Sequence, residues 1–196
     1  MVGRPSNREE HYLRVMQALV RCVARYGLEG VSLNVLSIEA GMSRPSMRHH
    51  FGNRDEMLSI LQDYVLSTFQ SEIEAMLGTL PERNPASALV TFLFSDQGRS
   101  SPEMILAFAA LTAKAAEDPK LRDACRAALL DFERTVTEVL SRQFPNVPAE
   151  ACGHSAHGIA ALYFNAMSLA PLEMPKQWLD TAHRLASGYV EQLEVP

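Results

Sequence analysis

Hydrophobic residues recur along this chain at the three- and four-residue steps of an α-helix. Before Gly27 these steps place one run of apolar side chains on a single face: Tyr12, Met16, Leu19, Val23 and Tyr26. A second long stripe begins after Pro119 and continues to about Arg142. No alternating run of β-branched residues bounded by turns indicates a strand. The pattern therefore predicts an all-α protein.

Capping residues and glycines divide the first part of the chain into short helices. Ser32 can cap a helix that stops at Ala40-Gly41, and Ser43 can cap a second helix that runs to Phe51. Gly52-Asn53 then breaks the pattern before a longer helix that extends to about Leu77. These signals predict a three-helix unit followed by a connecting helix.

Prolines and small polar clusters separate five further helical elements. Ser101-Pro102-Glu103 and Asp118-Pro119-Lys120 each place a capping side chain before a proline at the first helical position. Two more helices are predicted from about Ala149 to Leu169 and from Lys176 to Leu193. The sequence thus predicts about nine helices in total, with an N-terminal domain at 1–53, completed by the start of the connecting helix 54–77, and a C-terminal helical domain at 78–196.

Composition and charge narrow the class of protein. Hydrophobic residues make up 47% of the 196, enough for a real core. No apolar run reaches the roughly 18 to 20 residues of a membrane span, and the first residues lack the apolar run of a signal peptide, so we expect a cytoplasmic protein. The net charge of −5 divides into +3 for residues 1–55 and −8 for the remainder. A basic N-terminal part followed by an acidic remainder is typical of a chain whose N-terminal part binds phosphates.

The residue types of metal sites and enzymes are present without the spacing that their chemistry needs. Cys22, Cys125 and Cys152 are far apart, and we interpret them as buried thiols. His154 and His157 fall near one helix face, but Cys152 points elsewhere and no fourth ligand is evident, so no metal site is predicted. A glycine-rich phosphate loop, a nucleophile elbow and a His-Glu-x-x-His pattern are all missing from the sequence. We expect neither an enzyme nor a bound cofactor.

Two short helices joined by Ala40-Gly41-Met42-Ser43 have the size and turn of a helix-turn-helix. The small Ala40 lets the helices approach, and Gly41 supplies a left-handed turn conformation. In the second helix, Met47 and Phe51 can face inward. The outer face is then polar and suited to the major groove of DNA, with Arg44, Ser46, Arg48 and His49.

The span from about Arg8 to Leu61 resembles the DNA-binding domain of the TetR family of regulators. The matching residues are, in order, Gly27, Val31-Ser32-Leu33, Ala40-Gly41-Met42-Ser43, His49-His50-Phe51 and Gly52-Asn53-Arg54-Asp55-Glu56-Met57-Leu58. Three positions depart from the family pattern: the usual tyrosine is replaced by Arg48, a common glycine by Pro45 and the usual lysine by Arg54. At the position of the usual tyrosine, Arg48 provides a guanidinium group that can bind a phosphate or a guanine edge with two hydrogen bonds.

This resemblance implies a homodimeric, ligand-responsive repressor that binds palindromic operator DNA. The candidate DNA-binding residues are Ser32, Ser43, Arg44, Pro45, Ser46, Arg48, His49 and Arg54. Ser32 has a capping role beside a possible phosphate contact, and Arg54 stands near a helix N-terminus that favours a phosphate. The alternative for the outer-face residues is an ordinary solvated surface.

The resemblance also implies a C-terminal domain that binds a small-molecule effector and forms the dimer. The candidate ligand-binding residues are Phe92, Met104, Phe108, Leu111, Phe132, Tyr163, Phe164, Met167 and Trp178, although each also suits an ordinary core. Helices near 149–170 and 176–193 are candidates for the dimer interface, with packing inside one chain as the competing explanation. The alternative function is a helical small-molecule-binding protein or enzyme that does not read DNA.

Overall fold

The structure is a computed structural model, which describes residues 7–98 and 100–194 except for the side chains of residues 7–9. Within those ranges the chain forms nine α-helices and a short 3₁₀ turn at Ala170–Leu172, with no strand. The helices are α1 (Asn7–Gly30), α2 (Leu33–Ala40), α3 (Arg44–Phe51), α4 (Arg54–Thr79), α5 (Pro85–Leu93), α6 (Pro102–Lys114), α7 (Pro119–Gln143), α8 (Ala149–Ser168) and α9 (Lys176–Glu194). The predicted all-α fold is confirmed.

The helices group into two compact units. Of the described residues, the first contains 7–67 and 103–122, and the second contains 68–98, 100–102 and 123–194. The division therefore falls inside α4, after Ser67, and most of α6 belongs with the first unit. The domain limits drawn from the sequence, 1–53 and 78–196, stay a prediction about which segments act as functional domains.

In the first unit the apolar stripe of α1 supplies the centre of the core. Met16 and Leu19 are fully buried, together with Leu36 of α2, Met47 of α3 and Leu61 of α4. Gly27 has φ 67° and ψ 172°, so the helical path of α1 breaks at the predicted end, and a final turn continues to Gly30. The outer members of the predicted stripe, Tyr12 and Tyr26, are about half exposed.

In the second unit the core lies among α5, α7, α8 and α9. Its fully buried side chains include Leu89 of α5, Phe132 and Leu140 of α7, and Ile159 of α8. The amide of Ala86, in the first turn of α5, donates a 2.8 Å hydrogen bond to the side chain of Gln143 at the end of α7. This bond satisfies one of the N–H groups that every helix start leaves without a partner.

The close approach of α8 and α9 depends on a glycine. A Cβ placed on Gly158 of α8 would overlap the ring of Tyr189 on α9. At Gly158 the predicted dimer helices therefore pack against each other within one chain. Leu185 on α9 remains 57% exposed.

Across the described residues, no helix is both long and apolar enough to cross a membrane.

Candidate nucleic-acid interface and ligand cavity

The turn between α2 and α3 is built by backbone hydrogen bonds around Gly41. Gly41 has φ 65° and ψ 34°, the left-handed conformation that glycine adopts without strain. Its N–H donates to the carbonyl of Ile38, and the N–H of Met42 donates to the carbonyl of Ser37. This pair of bonds is the Schellman motif, which ends a helix and fixes the direction of the next segment.

The start of α3 is capped by Ser43, whose hydroxyl oxygen accepts a 3.3 Å hydrogen bond from the amide of Ser46. Pro45 lies in the first turn, where the missing N–H costs no helical hydrogen bond. Both features are local in sequence. They fix where α3 begins and hence which of its residues face outward.

The two faces of α3 differ sharply in burial. Met47 is fully buried and Phe51 is 3% exposed, so these side chains anchor the helix to the first unit. Arg44, Arg48 and His49 are exposed, and Ser46 is partly exposed. No described residue forms an ion pair with either arginine. The outer face of α3 therefore presents two available guanidinium groups to solvent.

An ion pair connects α2 to α1. Nε of Arg21 donates to a carboxylate oxygen of Glu39 at 2.8 Å, and Arg25 lies 4.0 Å from the other oxygen. The hydrogen bond from Arg21 is the main reason that the pKa of Glu39 lies below its usual value. Because Arg21 and Glu39 are both partly open to solvent, this pair contributes little stability and mainly restricts the orientation of α2.

Two predicted phosphate-contacting residues have structural partners. The hydroxyl oxygen of Ser32 accepts a 3.3 Å hydrogen bond from the amide of Val35, which confirms the capping role. Arg54 donates from Nε to the carbonyl of Val31 and from Nη2 to the carbonyl of Leu28, at 3.3 and 2.8 Å. Arg54 thus holds the first residue of α4 against the connector between α1 and α2.

A capping box at the start of α4 was missed by the sequence analysis. The amide of Glu56 donates to Oδ1 of Asn53 at 2.9 Å, and the amide of Asn53 donates to Oε2 of Glu56 at 2.8 Å. Gly52, beside this box, has φ 64° and ψ −129°, a backbone conformation in which any other residue would be strained. The signal was present, since a capping residue followed by Glu three positions later marks a helix start.

The second unit contains a cavity of about 240 Å³ between α4, α5, α7, α8 and the segment after α5. Three predicted ligand-binding residues, Phe92, Phe132 and Tyr163, line it. The contribution of α4 and of the segment after α5 was not predicted from the sequence. The remaining lining residues are Phe69, Glu72, Ile73, Ala75, Met76, Thr79, Leu93, Gln97 and Gly98.

The other candidate ligand-binding residues lie elsewhere. Phe164 is in ring contact with Phe132, Tyr163 and Phe69 beside the cavity. Met167 is buried on α8, and Trp178 is partly buried on α9. Met104, Phe108 and Leu111 belong to α6 in the first unit, where Leu111 is part of the core. Their role in ligand binding stays a prediction.

Polar contacts fix the rim of the cavity. The hydroxyl of Tyr163 donates to the carbonyl of Gly98 at 3.1 Å. Burial, with a smaller contribution from the negative charge of Glu72, raises the pKa of Tyr163 to about 12, so this hydroxyl stays protonated at neutral pH. Oε2 of Glu72 accepts a 2.6 Å hydrogen bond from the hydroxyl of Ser100.

The three cysteines are buried and free, as interpreted from the sequence. Burial is the main cause that raises the pKa of Cys22 to about 11. No group of three or more potential metal ligands comes together in the part of the chain that the structure describes. His157 instead contacts Glu133 of α7, at 3.0 Å between Nδ1 and Oε2.

Comparison with known sequences finds relatives that match along almost the whole chain. No protein-family model matches it. The chain is 24% identical over 191 residues to proteins named HTH-type transcriptional regulator BetI from Burkholderia mallei (strain NCTC 10229) and Burkholderia pseudomallei (strain K96243). In both comparisons the match covers 96% of this chain and 96% of the relative.

Solved structures with a similar fold also align along nearly the whole of this chain and of their own. A TetR transcription regulator from Haloarcula marismortui has a TM-score of 0.71 at 19% identity, covering 93% of this chain and 97% of its own. A TetR-family regulator from Cytophaga hutchinsonii has a TM-score of 0.73 at 14% identity, covering 99% and 100%. One from Streptomyces coelicolor has a TM-score of 0.71 at 20% identity, covering 94% and 96%. These likenesses confirm, at the level of the fold, the resemblance indicated by residues 8–61.

Proposed function

We propose that this chain, which has the fold of the TetR-family transcriptional regulators, is a DNA-binding repressor released from its operator by a small-molecule effector. The observation that carries the proposal is the contrast between the two faces of α3. Its inner face is locked into the core by Met47 and Phe51, while its outer face exposes Arg44, Arg48 and His49. A rigid helix with a cationic outer face is what major-groove reading requires.

The two arginines supply sequence reading under this proposal. A guanidinium can donate two parallel hydrogen bonds to O6 and N7 of guanine, and each such pair contributes about 1–3 kcal/mol of discrimination. Arg44 and Arg48 stand four residues apart, so they lie on neighbouring turns of one helix face. Ser46 and His49 add hydrogen-bonding groups beside them.

The caps supply phosphate contacts. The oxygens of Ser32 and Ser43 accept bonds from backbone amides, which leaves each hydroxyl proton available to donate to a phosphate oxygen. Pro45 fixes the backbone in the first turn of α3 and has no N–H group to donate. Arg54, with Nε and Nη2 already bound to carbonyls, holds the start of α4 against the connector before α2.

Operator binding also requires a second copy of the chain. We place the homodimer interface on the exposed sides of α8 and α9, where Leu185 offers an apolar side chain that is 57% exposed. A two-fold dimer presents two α3 helices to half-sites about one DNA turn, roughly 34–36 Å, apart or at a multiple of that spacing. A regulator of this kind works where the chromosome is, so the proposal places it in the cytoplasm.

The effector acts by shifting the population of dimer geometries. A ligand changes such an equilibrium only by its preference for one state, here the state with the wrong spacing of recognition helices. The cavity in the second unit is the proposed binding site, and α4 continues from that cavity to Arg54 beside the connector. No catalytic step is part of this function.

The test measures fluorescence anisotropy of a labelled DNA fragment from the region upstream of the chain's own gene. Arg44→Ala combined with Arg48→Ala is expected to weaken specific binding at least tenfold, about 1.4 kcal/mol, because both readers are lost. The matched control is Arg126→Ala combined with Arg134→Ala on α7, which removes the same charge from exposed pairs with Asp123 and Asp131. Control binding is expected within about threefold of the wild type.

Unchanged, sequence-specific binding by the Arg44/Arg48 variant would remove the assignment of α3 as the reading helix. Failure of the wild type to bind any DNA at low salt, where phosphate attraction is greatest, would favour a helical ligand-binding protein that does not read DNA.

A further inference from the structure

Three histidines come together at the edge of the α3 surface. His49 and His50 occupy the last turn of α3, and their ring centroids are 5.4 Å apart. His11 approaches from α1, with its ring centroid 6.1 Å from that of His50. His49 and His50 are exposed, and His11 is partly exposed. Histidine is the side chain whose charge ordinarily changes between pH 5 and 8, so a change of pH in that range alters the charge of this cluster.

The hydrogen bond between Arg14 and His11 fixes the protonation of one ring nitrogen. Nη2 of Arg14 lies 2.8 Å from Nδ1 of His11. A guanidinium has five N–H donors and no acceptor, so Nδ1 accepts this bond through its lone pair. The bond therefore requires a neutral imidazole with its proton on Nε2. A proton added to Nδ1 removes the acceptor and places two cations side by side, so the exposed Arg14 side chain must turn away.

Charged and titratable side chains from three helices lie near the cluster. They are Glu10, Tyr12 and Arg14 on α1, Arg48 on α3, and Glu56, Asp63 and Tyr64 on α4. Glu56 lines an open groove with His50, and its Oε2 accepts a 2.8 Å hydrogen bond from the amide of Asn53. No carboxylate of the described residues forms an ion pair with any of the three histidines. A proton taken up here is therefore not neutralised by a paired carboxylate in that part of the chain.

The cluster lies on the flank of α3. Successive residues of a helix are about 100° apart around its axis, so His50 projects from the side of α3 when His49 points outward. His11 continues this side beyond the helix, because its ring lies next to that of His50. A helix in the major groove meets base edges with its centre, and the groups at its sides meet the phosphates. The position of the cluster thus suits a phosphate of the DNA backbone.

A phosphate supplies the negative charge that the protonated cluster needs. Imidazolium groups at these distances repel one another and the Arg14 guanidinium. A phosphate oxygen beside them offsets this repulsion and accepts charge-assisted hydrogen bonds. Proton binding and DNA binding therefore favour each other, and such coupling is reciprocal. DNA affinity then rises as pH falls through the range in which histidine gains its charge, and it falls as pH rises.

We propose that His11, His50 and Arg14 form a proton-sensitive contact to an operator phosphate, in which a proton on Nδ1 of His11 frees the Arg14 guanidinium to bind that phosphate. The effect on DNA affinity rests on the proposed function. The tautomer of His11 and its bond to Arg14 do not.

Nitrogen NMR of the imidazole rings tests the bond between His11 and Arg14 in the full-length chain without DNA. The signals of His11 are identified by their loss in His11→Gln. At pH 8 we expect His11 to be neutral, with its proton on Nε2 and with Nδ1 unprotonated. A proton on Nδ1 of His11 at pH 8 would overturn the proposal.

Fluorescence anisotropy with operator DNA at pH 8 and pH 6, at constant ionic strength, tests the effect on binding. The wild type is expected to bind at least tenfold more tightly at pH 6. His11→Gln keeps an acceptor for Arg14 but takes up no proton, so its affinity is expected to change threefold or less. A wild-type change below threefold, or a change in His11→Gln equal to that of the wild type, would contradict the proposal.

The matched control is His154→Gln. His154 is an exposed histidine on α8 in the second unit, 4.0 Å from a carboxylate oxygen of Glu150. It receives the same substitution outside the α3 surface, so its pH dependence is expected to equal that of the wild type. Loss of the pH dependence in this control would show that the effect does not come from the α3 flank.

Salt dependence tests the release of Arg14. An additional contact between a cation and a phosphate steepens the plot of log affinity against log salt concentration by about 0.9. The wild-type slope is therefore expected to be steeper at pH 6 than at pH 8 by about one for each protomer, and Arg14→Gln is expected to lose most of that difference. Arg126→Gln, on the exposed side of α7, is the control. Equal steepening in Arg14→Gln and the wild type would remove Arg14 from the contact. Circular dichroism melting at both pH values separates weaker binding from loss of fold.

DNA binding at pH 8 distinguishes this proposal from the regulator function. Sequence-specific binding that does not change with pH would defeat the proton-sensitive contact and leave the regulator function intact. Absence of binding at either pH would defeat both, while the NMR measurement without DNA would still decide the bond between His11 and Arg14.

Discussion

The guanidinium of Arg54 ties the start of α4 to the connector before α2. Nε and Nη2 donate to the carbonyls of Val31 and Leu28, and Nη2 also lies 3.1 Å from a carboxylate oxygen of Glu29. Hydrogen bonds from a charged group contribute about 1.5–3 kcal/mol when they are protected from water. The Arg54 side chain is 38% exposed, which reduces that contribution.

Arg54→Ala is therefore expected to lower the free energy of unfolding by about 1–2 kcal/mol, because two carbonyls lose their charged donor. Arg25→Ala is the control, since the Arg25 side chain is 64% exposed and its contacts, at 4.0 Å to Glu39 and 5.8 Å to the centre of the Tyr26 ring, are screened by water. Its expected change is below about 0.5 kcal/mol. Urea unfolding followed by circular dichroism measures both.

If Arg54→Ala leaves the stability unchanged, the main role of Arg54 is to bind a phosphate. In that case Arg54→Ala would unfold like the wild type, while DNA affinity would fall for all sequences and the slope of its salt dependence would decrease by about one.

At the scale of the element, glycines within one helix have different roles. In α8, a Cβ on Gly158 would overlap the Tyr189 ring, whereas a Cβ on Gly153 would meet no atom within 4 Å. An alanine in a helix is more favourable than a glycine by about 0.5–1 kcal/mol when space allows. Overpacking costs about 1–3 kcal/mol. The same substitution at the two positions therefore has opposite expected signs.

Gly153→Ala is expected to raise the midpoint of thermal unfolding, and Gly158→Ala is expected to lower it. Differential scanning calorimetry at one protein concentration compares the two variants with the wild type. If Gly158→Ala raised the unfolding midpoint as much as Gly153→Ala does, the Tyr189 ring would move aside freely. The present distance between α8 and α9 would then not be needed for stability.

Helix ends could be predicted from the sequence because their causes are local. Ser32, Gly41 and Ser43 set the ends of α2 and α3 through bonds to residues three to five positions away. Asn53 and Glu56 form a cap that is equally local, and it could have been predicted in the same way. The half exposure of Tyr12 and Tyr26 could not, since it depends on which distant segments pack against α1.

The cavity could be predicted only in part because its wall is assembled from distant segments. Phe92, Phe132 and Tyr163 were among the candidates, but Glu72 and Phe69 come from a helix that the sequence analysis treated as a connector. Met104 and Phe108 are also large apolar residues, but they lie in the other unit. Side-chain type alone does not distinguish a cavity wall from a core when the tertiary neighbours are unknown.

At the scale of the whole molecule, charge and symmetry connect the α3 surface to an operator. Residues 1–55 carry a net charge of +3 while the remainder carries −8, so attraction to DNA is confined to the part of the chain that contains α3. A homodimer doubles that surface and imposes two-fold symmetry on the DNA. The combined expectation is a palindromic site whose half-sites contain guanines facing Arg44 and Arg48.

Selection of bound DNA from a random library, followed by sequencing, measures this expectation directly. The purified full-length wild type is expected to enrich a two-fold symmetric motif with guanine in each half-site and half-site centres about 10–10.5 base pairs, or a multiple of that, apart. The chain carrying both Arg44→Ala and Arg48→Ala, selected in parallel, is expected to lose the guanine positions. If the wild type enriches no motif from the library, this result would contradict the account of the chain as a sequence-specific regulator.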